Sequence, residues 1–191
     1  MLHTAFEQPV DQCQQVFRAV LSALAEPLLP RRLPCLPPPL PGLSEASAAL
    51  LYSLVDQEVA VWLPPLPADT LESLRFHTGL QICRDVAQAD FILLTRGCPL
   101  PALTGLKSGT AEYPDRSATL LIEVEQFNTR QIEGCGPGIP ACRRFGAVGL
   151  AADFWIQWQQ NHARFPRGVD VILLAGEHIA GLPRSTRIQE G

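Results

Sequence analysis

The chain has 191 residues, 47% hydrophobic and 18% charged, with a formal net charge of −4. That length and apolar content suit one domain that buries roughly 70% of its unfolded surface without staples, and an acidic balance with no basic stripe argues against nucleic acid as a partner. No apolar run reaches the roughly 20 residues that cross a bilayer, and Met1-Leu2-His3-Thr4 lacks the basic-then-apolar start of a secretory signal, so no membrane is expected and a cytoplasmic location is.

Val10, Cys13, Val16, Phe17, Val20, Leu21 and Leu24 recur at three- and four-residue steps, which predicts an amphipathic helix with its glutamines outward, ended by Pro27. Residues 27–41 are densely proline-rich and predict an extended surface segment, either a connector or a partner-binding arm, kept out of any central strand. Ser44 is expected to cap a second helix running to about Val55, with Leu50, Leu51, Leu54 and Val55 inward. Residues 59–63 read as a buried strand. Asp69 and Glu72 read as a capping-box-like pair heading a short helix that Gly79 closes.

Residues 91–95 and 119–124 read as further buried strands, with residues 129–133 expected to pair with the latter as a hairpin. Residues 134–138 are glycine-rich and predict a loop, and residues 150–163 predict a last helix carrying Phe154, Trp155 and Trp158. The apolar run 171–175, the turn Gly176-Glu177-His178 and the return segment 179–184 predict a buried strand, a hairpin and a second strand stopping at Pro183. Helices and strands alternate, so the expected fold class is α/β: a single three-layer domain over residues 1–191, with a central mixed sheet flanked by helices.

Six cysteines are scattered without a C-x-x-C pair, which argues against zinc or an iron–sulfur cluster. In a reducing compartment they read as small apolar residues or surface thiols. Lys107 is the sole lysine, so Schiff-base chemistry has one candidate.

Three polar clusters stand out. Arg75 and His77 could clamp an anion and move a proton, or could satisfy the end of a helix. Tyr113, Asp115, Arg116 and Ser117 could bind a polar ligand, or form a turn ahead of the next strand. The glycine loop at 134–138 lacks a following Lys-Ser/Thr, and Pro137 removes a donor a phosphate cradle needs. Arg184 joins Arg75 and Arg116 as a possible anion ligand, should the chain be a self-sufficient small transferase acting on a phosphorylated substrate. No G-x-S-x-G elbow or metal-ligand spacing is present, so the expectation is no catalytic residue and no metal.

Several segments, in order, resemble one family. They are Thr4-Ala5-Phe6, Pro9-Val10, Gln15, Phe17-Arg18, Glu26-Pro27, Val61-Trp62-Leu63, residues 74–79, Gly109-Thr110, residues 113–119, Gly134 with Pro137-Gly138-Ile139, and residues 165–184. The resemblance, spanning nearly the whole chain, is to the PhnH family, the H subunit of the bacterial carbon–phosphorus lyase system. Leu28 departs from it where the family often has glycine after the proline, so a different turn is expected there. The resemblance implies a cytoplasmic accessory subunit without cofactor, working with the G, I and J subunits and forming a homodimer when isolated. It implies a fold like that of pyridoxal-phosphate transferases without the cofactor machinery. With G and I, the H subunit would support transfer of an alkylphosphonate onto the ribose of ATP, releasing adenine. The product, a ribose 1-alkylphosphonate 5-triphosphate, would be cleaved by J after loss of pyrophosphate. Arg75, His77, Tyr113, Asp115, Arg116 and Arg184 are then ligand or interface candidates.

Overall fold

Central strands alternate their side chains between two cores, and this decides the architecture. In a computed structural model describing residues 2–190, Leu93, Leu121, Ile172, Leu174 and Ile179 face one core. Their neighbours Ile92, Leu94, Leu120, Ile122, Val171, Leu173, Ala180 and Leu182 face the other. A period of two with apolar residues on both faces is what a sheet covered on both sides requires.

The covered sheet has seven strands: β1 (Arg31–Arg32), β2 (Ala60–Trp62), β3 (Gln81–Ile82), β4 (Phe91–Leu94), β5 (Thr119–Glu123), β8 (Asp170–Ala175) and β9 (His178–Leu182). Their spatial order is β1-β9-β8-β5-β4-β2-β3. Strands β2, β3, β4, β5 and β8 are parallel, and β9 is antiparallel to both its neighbours, so the sheet is mixed. A three-stranded antiparallel sheet, in the order β10-β6-β7, is formed by β6 (Gln126–Cys135), β7 (Arg143–Val148) and β10 (Arg187–Glu190). The helices α1 (Pro9–Ala25), α2 (Glu45–Leu54) and α3 (Ala68–Thr78) pack on one face of the large sheet. The helix α4 (Phe154–His162) and the small sheet pack on the other.

Helix α2 begins as expected: Ser44 Oγ accepts the backbone N–H of Ser47 at 3.1 Å. Gly79 closes α3 in the left-handed conformation at φ 73°, its N–H reaching the Arg75 carbonyl at 2.8 Å. The β8–β9 hairpin turns at Gly176, φ 56°. The proline-rich segment contributes only the two-residue edge strand β1, where missing N–H groups are tolerated.

Five expectations need correction. The α1 apolar arc is wider than the face the sheet accepts. Val16, Val20 and Ala23 are buried, whereas Val10, Phe17 and Leu21, at seven- and four-residue steps along one margin, are 84%, 44% and 50% exposed. The residues 129–133 do not pair with β5, because both edges of β5 are already taken by β4 and β8. They belong to β6, which pairs with β7 and β10. Gly134 and Cys135 continue β6 rather than opening the loop, since β10 extends the ladder to them. The capping box is absent: α3 starts at Ala68 behind Pro67, so Asp69 lies inside its first turn. The Asp69 carboxylate turns to His3, and that hydrogen bond leads in holding it below the usual carboxylate range. Finally, Cys135 and Cys142 form a disulfide, because the end of β6 and the start of β7 bring their Cα atoms within 4.6 Å; the other four cysteines are free.

Leu28 takes the positive φ of 61° that glycine would favour, so the turn after α1 is made with a leucine in a glycine conformation. Its side chain is 1% exposed and fills the space over Gly134, where any Cβ would overlap Leu28 Cδ1.

Candidate functional site

The expected site residues fall into two groups. Arg75 and His77 are exposed on the last turn of α3. His77 Nε2 donates to the His3 carbonyl at 2.9 Å, and its ring lies edge-on to Tyr52 and Phe76. The second group meets at the amino-terminal edge of β5 and β8. Tyr113, Asp115 and Arg116 form a turn in which the Tyr113 carbonyl accepts the N–H groups of Thr110 and Arg116 at 3.1 and 3.3 Å. The Arg116 guanidinium stacks over the Tyr113 ring at 4.4 Å.

Arg184 locks this turn to the β8–β9 hairpin. Its guanidinium pairs with Asp170 and donates to the Pro114 carbonyl and Ser117 Oγ, and its own N–H reaches Asp170 Oδ1 at 2.7 Å. Those bonds use most of its donors, so Arg184 acts as a clasp. Lys107 is also committed, paired with Asp90, whose carboxylate further accepts the Ala60 N–H at 2.8 Å. Asp90 and Lys107 precede β4 and β5, again at the amino-terminal edge.

Ligands of open α/β sheets bind beyond the carboxyl ends of the parallel strands, where consecutive connections diverge. Here the chain leaves β2 toward β3 and returns across it to β4, so the order diverges between β2 and β4. A crevice lies on the same carboxyl edge, at the ends of β4, β5 and β8 and to one side of that divergence. A cavity of about 180 Å³ is lined by Ser44, Arg96, Glu123, Val124, Glu125, Leu174 and Gly176. A second, of about 370 Å³, shares Glu125 and Gly176 and adds Pro30, Gln126, Phe127, Ala175 and His178.

Glu123 ends β5 and is 9% exposed. Its Oε1 accepts Ser47 Oγ at 2.6 Å and the Ser44 N–H at 3.3 Å, while Ser44 Oγ donates to Ser47 Oγ at 2.9 Å. The carboxylate therefore sits on the N-terminus of α2, whose dipole and donors favour negative charge. From the sequence alone, residues 119–124 read only as a strand. The available signal was a glutamate directly after the run Leu120, Leu121 and Ile122, which places a charge where a buried parallel strand emerges.

Comparison with known proteins adds the remaining observation. The family described as bacterial phosphonate metabolism protein (PhnH) matches residues 4–189. Among curated relatives, the alpha-D-ribose 1-methylphosphonate 5-triphosphate synthase subunit PhnH of Rhizobium meliloti (strain 1021) is 36% identical over 188 residues, covering 97% of this chain and 94% of that protein. The putative C-P lyase subunit protein HtxG of Stutzerimonas stutzeri is 33% identical over 148 residues, covering 77% and 73%. A match from one end of the fold to the other, through α1, both sheets and the β8–β9 hairpin, establishes that the chain belongs to the PhnH family of bacterial phosphonate metabolism proteins.

Proposed function

We propose that this chain is an accessory subunit of the carbon–phosphorus lyase system in organic phosphonate catabolism, acting as one domain in the cytoplasm. It works with the G, I and J subunits and forms a homodimer when isolated. With G and I it supports transfer of an alkylphosphonate to ATP, giving a ribose 1-alkylphosphonate 5-triphosphate and adenine. The observation that carries this reading is the near full-length match to a relative named as a subunit of ribose 1-methylphosphonate 5-triphosphate synthase.

The surface supports it. Val10, Phe17 and Leu21 form an apolar stripe along α1 that water covers at a cost. A subunit held in an assembly can keep such a stripe because a neighbour buries it. The mixed sheet clad in helices on both faces is also compatible with a transferase-like scaffold whose own lysine, Lys107, is engaged by Asp90.

Co-expression with tagged G subunit, together with I and J, tests the reading. The expected result is recovery of this chain in one complex, weakened by Phe17→Glu. Elution of the wild-type chain apart from all three partners would overturn it.

A further inference from the structure

We propose that the crevice at the carboxyl edge of β4, β5 and β8 binds a ribose polyphosphate, with Glu123 accepting hydrogen bonds from the sugar hydroxyls and Arg96 facing the anionic group. The inference rests on the reading that this chain serves a synthase of a ribose 5-triphosphate. It adds a site to it.

The two carboxylate oxygens of Glu123 are used unequally. Oε1 is held by Ser47 and the Ser44 N–H, whereas Oε2 takes no hydrogen bond from the described residues and stays open to the crevice. Glu123 as a residue is nine-tenths buried, but its Oε2 is not enclosed and keeps contact with solvent, so a ligand O–H or N–H can take the place of water there. The Ser44–Ser47–Glu123 chain fixes the carboxylate before any ligand arrives, so little ordering entropy is lost on binding. An acidic side chain at the carboxyl end of a parallel strand taking ribose hydroxyls is a recurrent solution in sheets of this kind.

Arg96 supplies the opposite charge. It lies two residues beyond β4 on the rim of the same cavity, exposed and without a carboxylate partner among the described residues. Its planar donors suit phosphate or phosphonate oxygens. Glu125 lines this cavity as well as the second one, so the anionic group is assigned to Arg96, the cation among the lining residues of the first cavity. A cavity of about 180 Å³ accommodates a pentose ring, and the adjoining 370 Å³, lined in part by Pro30, Phe127 and His178, leaves room for a base.

Isothermal titration of the full chain, alone and in the assembled complex, tests this with ATP, 2′,3′-dideoxy-ATP and ribose 5-phosphate. ATP is expected to bind, with affinity falling at least about tenfold for the dideoxy analogue and by a similar factor in Glu123→Gln, the loss typical of a charge-assisted hydrogen bond. Arg96→Gln, on the exposed rim, is expected to weaken ATP comparably and keeps the test valid should Glu123→Gln fail to fold. Competition by ribose 5-phosphate would identify the sugar phosphate as sufficient; ATP binding without competition would assign the site to the nucleotide. Equal affinity for ATP and its dideoxy analogue, unchanged affinity in both variants, or no ATP binding in either preparation would overturn the proposal. Co-purification of Glu123→Gln with its partners is scored separately. A complex that assembles but shows no ligand effect removes the site and leaves the subunit role intact.

Discussion

Leu28 and Gly134 offer a prediction in which the usual ranking of two substitutions reverses. Leu28 is buried and holds a φ of 61°, and Gly134 has no room for a Cβ beneath it. Truncating a buried leucine to alanine costs about 2–5 kcal/mol through lost transfer energy and the cavity left behind. Leu28→Ala removes the packing but keeps a side chain in the left-handed region, which costs about 1–2 kcal/mol. Leu28→Gly also loses the packing but releases that strain, against about 0.4–1 kcal/mol of extra freedom in the unfolded chain. Leu28→Gly is therefore expected to be more stable than Leu28→Ala by about 0.5–1 kcal/mol, opposite to the order at ordinary positions. A double-mutant cycle sharpens the test. Gly134→Ala overlaps Leu28 Cδ1 in the wild-type background, but once Leu28 is reduced to glycine the nearest remaining atom is Thr186 Cγ2 at 3.6 Å. The two substitutions should then cost less together than their sum, by about 1–3 kcal/mol. Urea unfolding followed by tryptophan fluorescence measures all five proteins, the wild type, the three single variants and the double variant, with Trp158 fully buried as the reporter. Leu28→Ala matching or exceeding Leu28→Gly in stability, with additive costs in the cycle, would refute the reasoning.

Other consequences are equally open to measurement. Arg184→Ala should destabilise by about 3–5 kcal/mol because Asp170 is left half-buried without its partner, and Arg184→Lys should not restore stability since one ammonium cannot reach Asp170, Pro114 and Ser117 together; retained thermal stability in Arg184→Ala would free Arg184 for another role. Burial pushes the Asp90 carboxyl up, but the Lys107 hydrogen bond and charge and the Ala60 N–H outweigh it, leaving the pKa below the ordinary 3.8. A carboxyl depressed in the folded state contributes stability above its unfolded pKa and loses it as pH falls through the folded one, so Asp90→Asn should lose less stability than the wild type between about pH 5 and pH 2. Parallel urea midpoints for the two proteins over that range would contradict this. Non-reducing peptide mapping should join Cys135 to Cys142 and leave Cys13, Cys35, Cys83 and Cys98 alkylatable; Cys142→Ser should cost about 2 kcal/mol in oxidising buffer and almost nothing under reductant.

What the sequence disclosed follows from how local each signal is. Ser44 capping α2, Gly79 ending α3 and the β8–β9 hairpin are set by neighbouring residues and fall where the pattern puts them. The central strands were legible because their apolar runs are buried on both faces. Long-range pairing was not legible. Residues 129–133 carry no mark that β5 already has two neighbours, and the Cys135–Cys142 bridge depends on a β6–β7 register that spacing alone does not encode. The α1 periodicity was clear, yet it could not say which margin of a wide apolar arc the sheet would leave open to Phe17 and Leu21. For the site, the conspicuous polar residues Tyr113–Arg116 lie in a turn that Arg184 ties down at the amino-terminal edge, at the opposite end of the strands from the crevice. Glu123 directly after Leu120, Leu121 and Ile122 marked a strand end, but the sheet order was needed to show that this end opens on the crevice.

The central claim is that this chain contributes to phosphonate transfer as one member of an assembly. Adenine release from ATP and methylphosphonate, measured with purified G and I subunits in the presence and absence of this chain, tests it most directly. The account predicts turnover only when the chain is added to its partners and none from the chain alone. Undiminished adenine release from G and I without it, or sustained turnover by the isolated chain, would contradict the account.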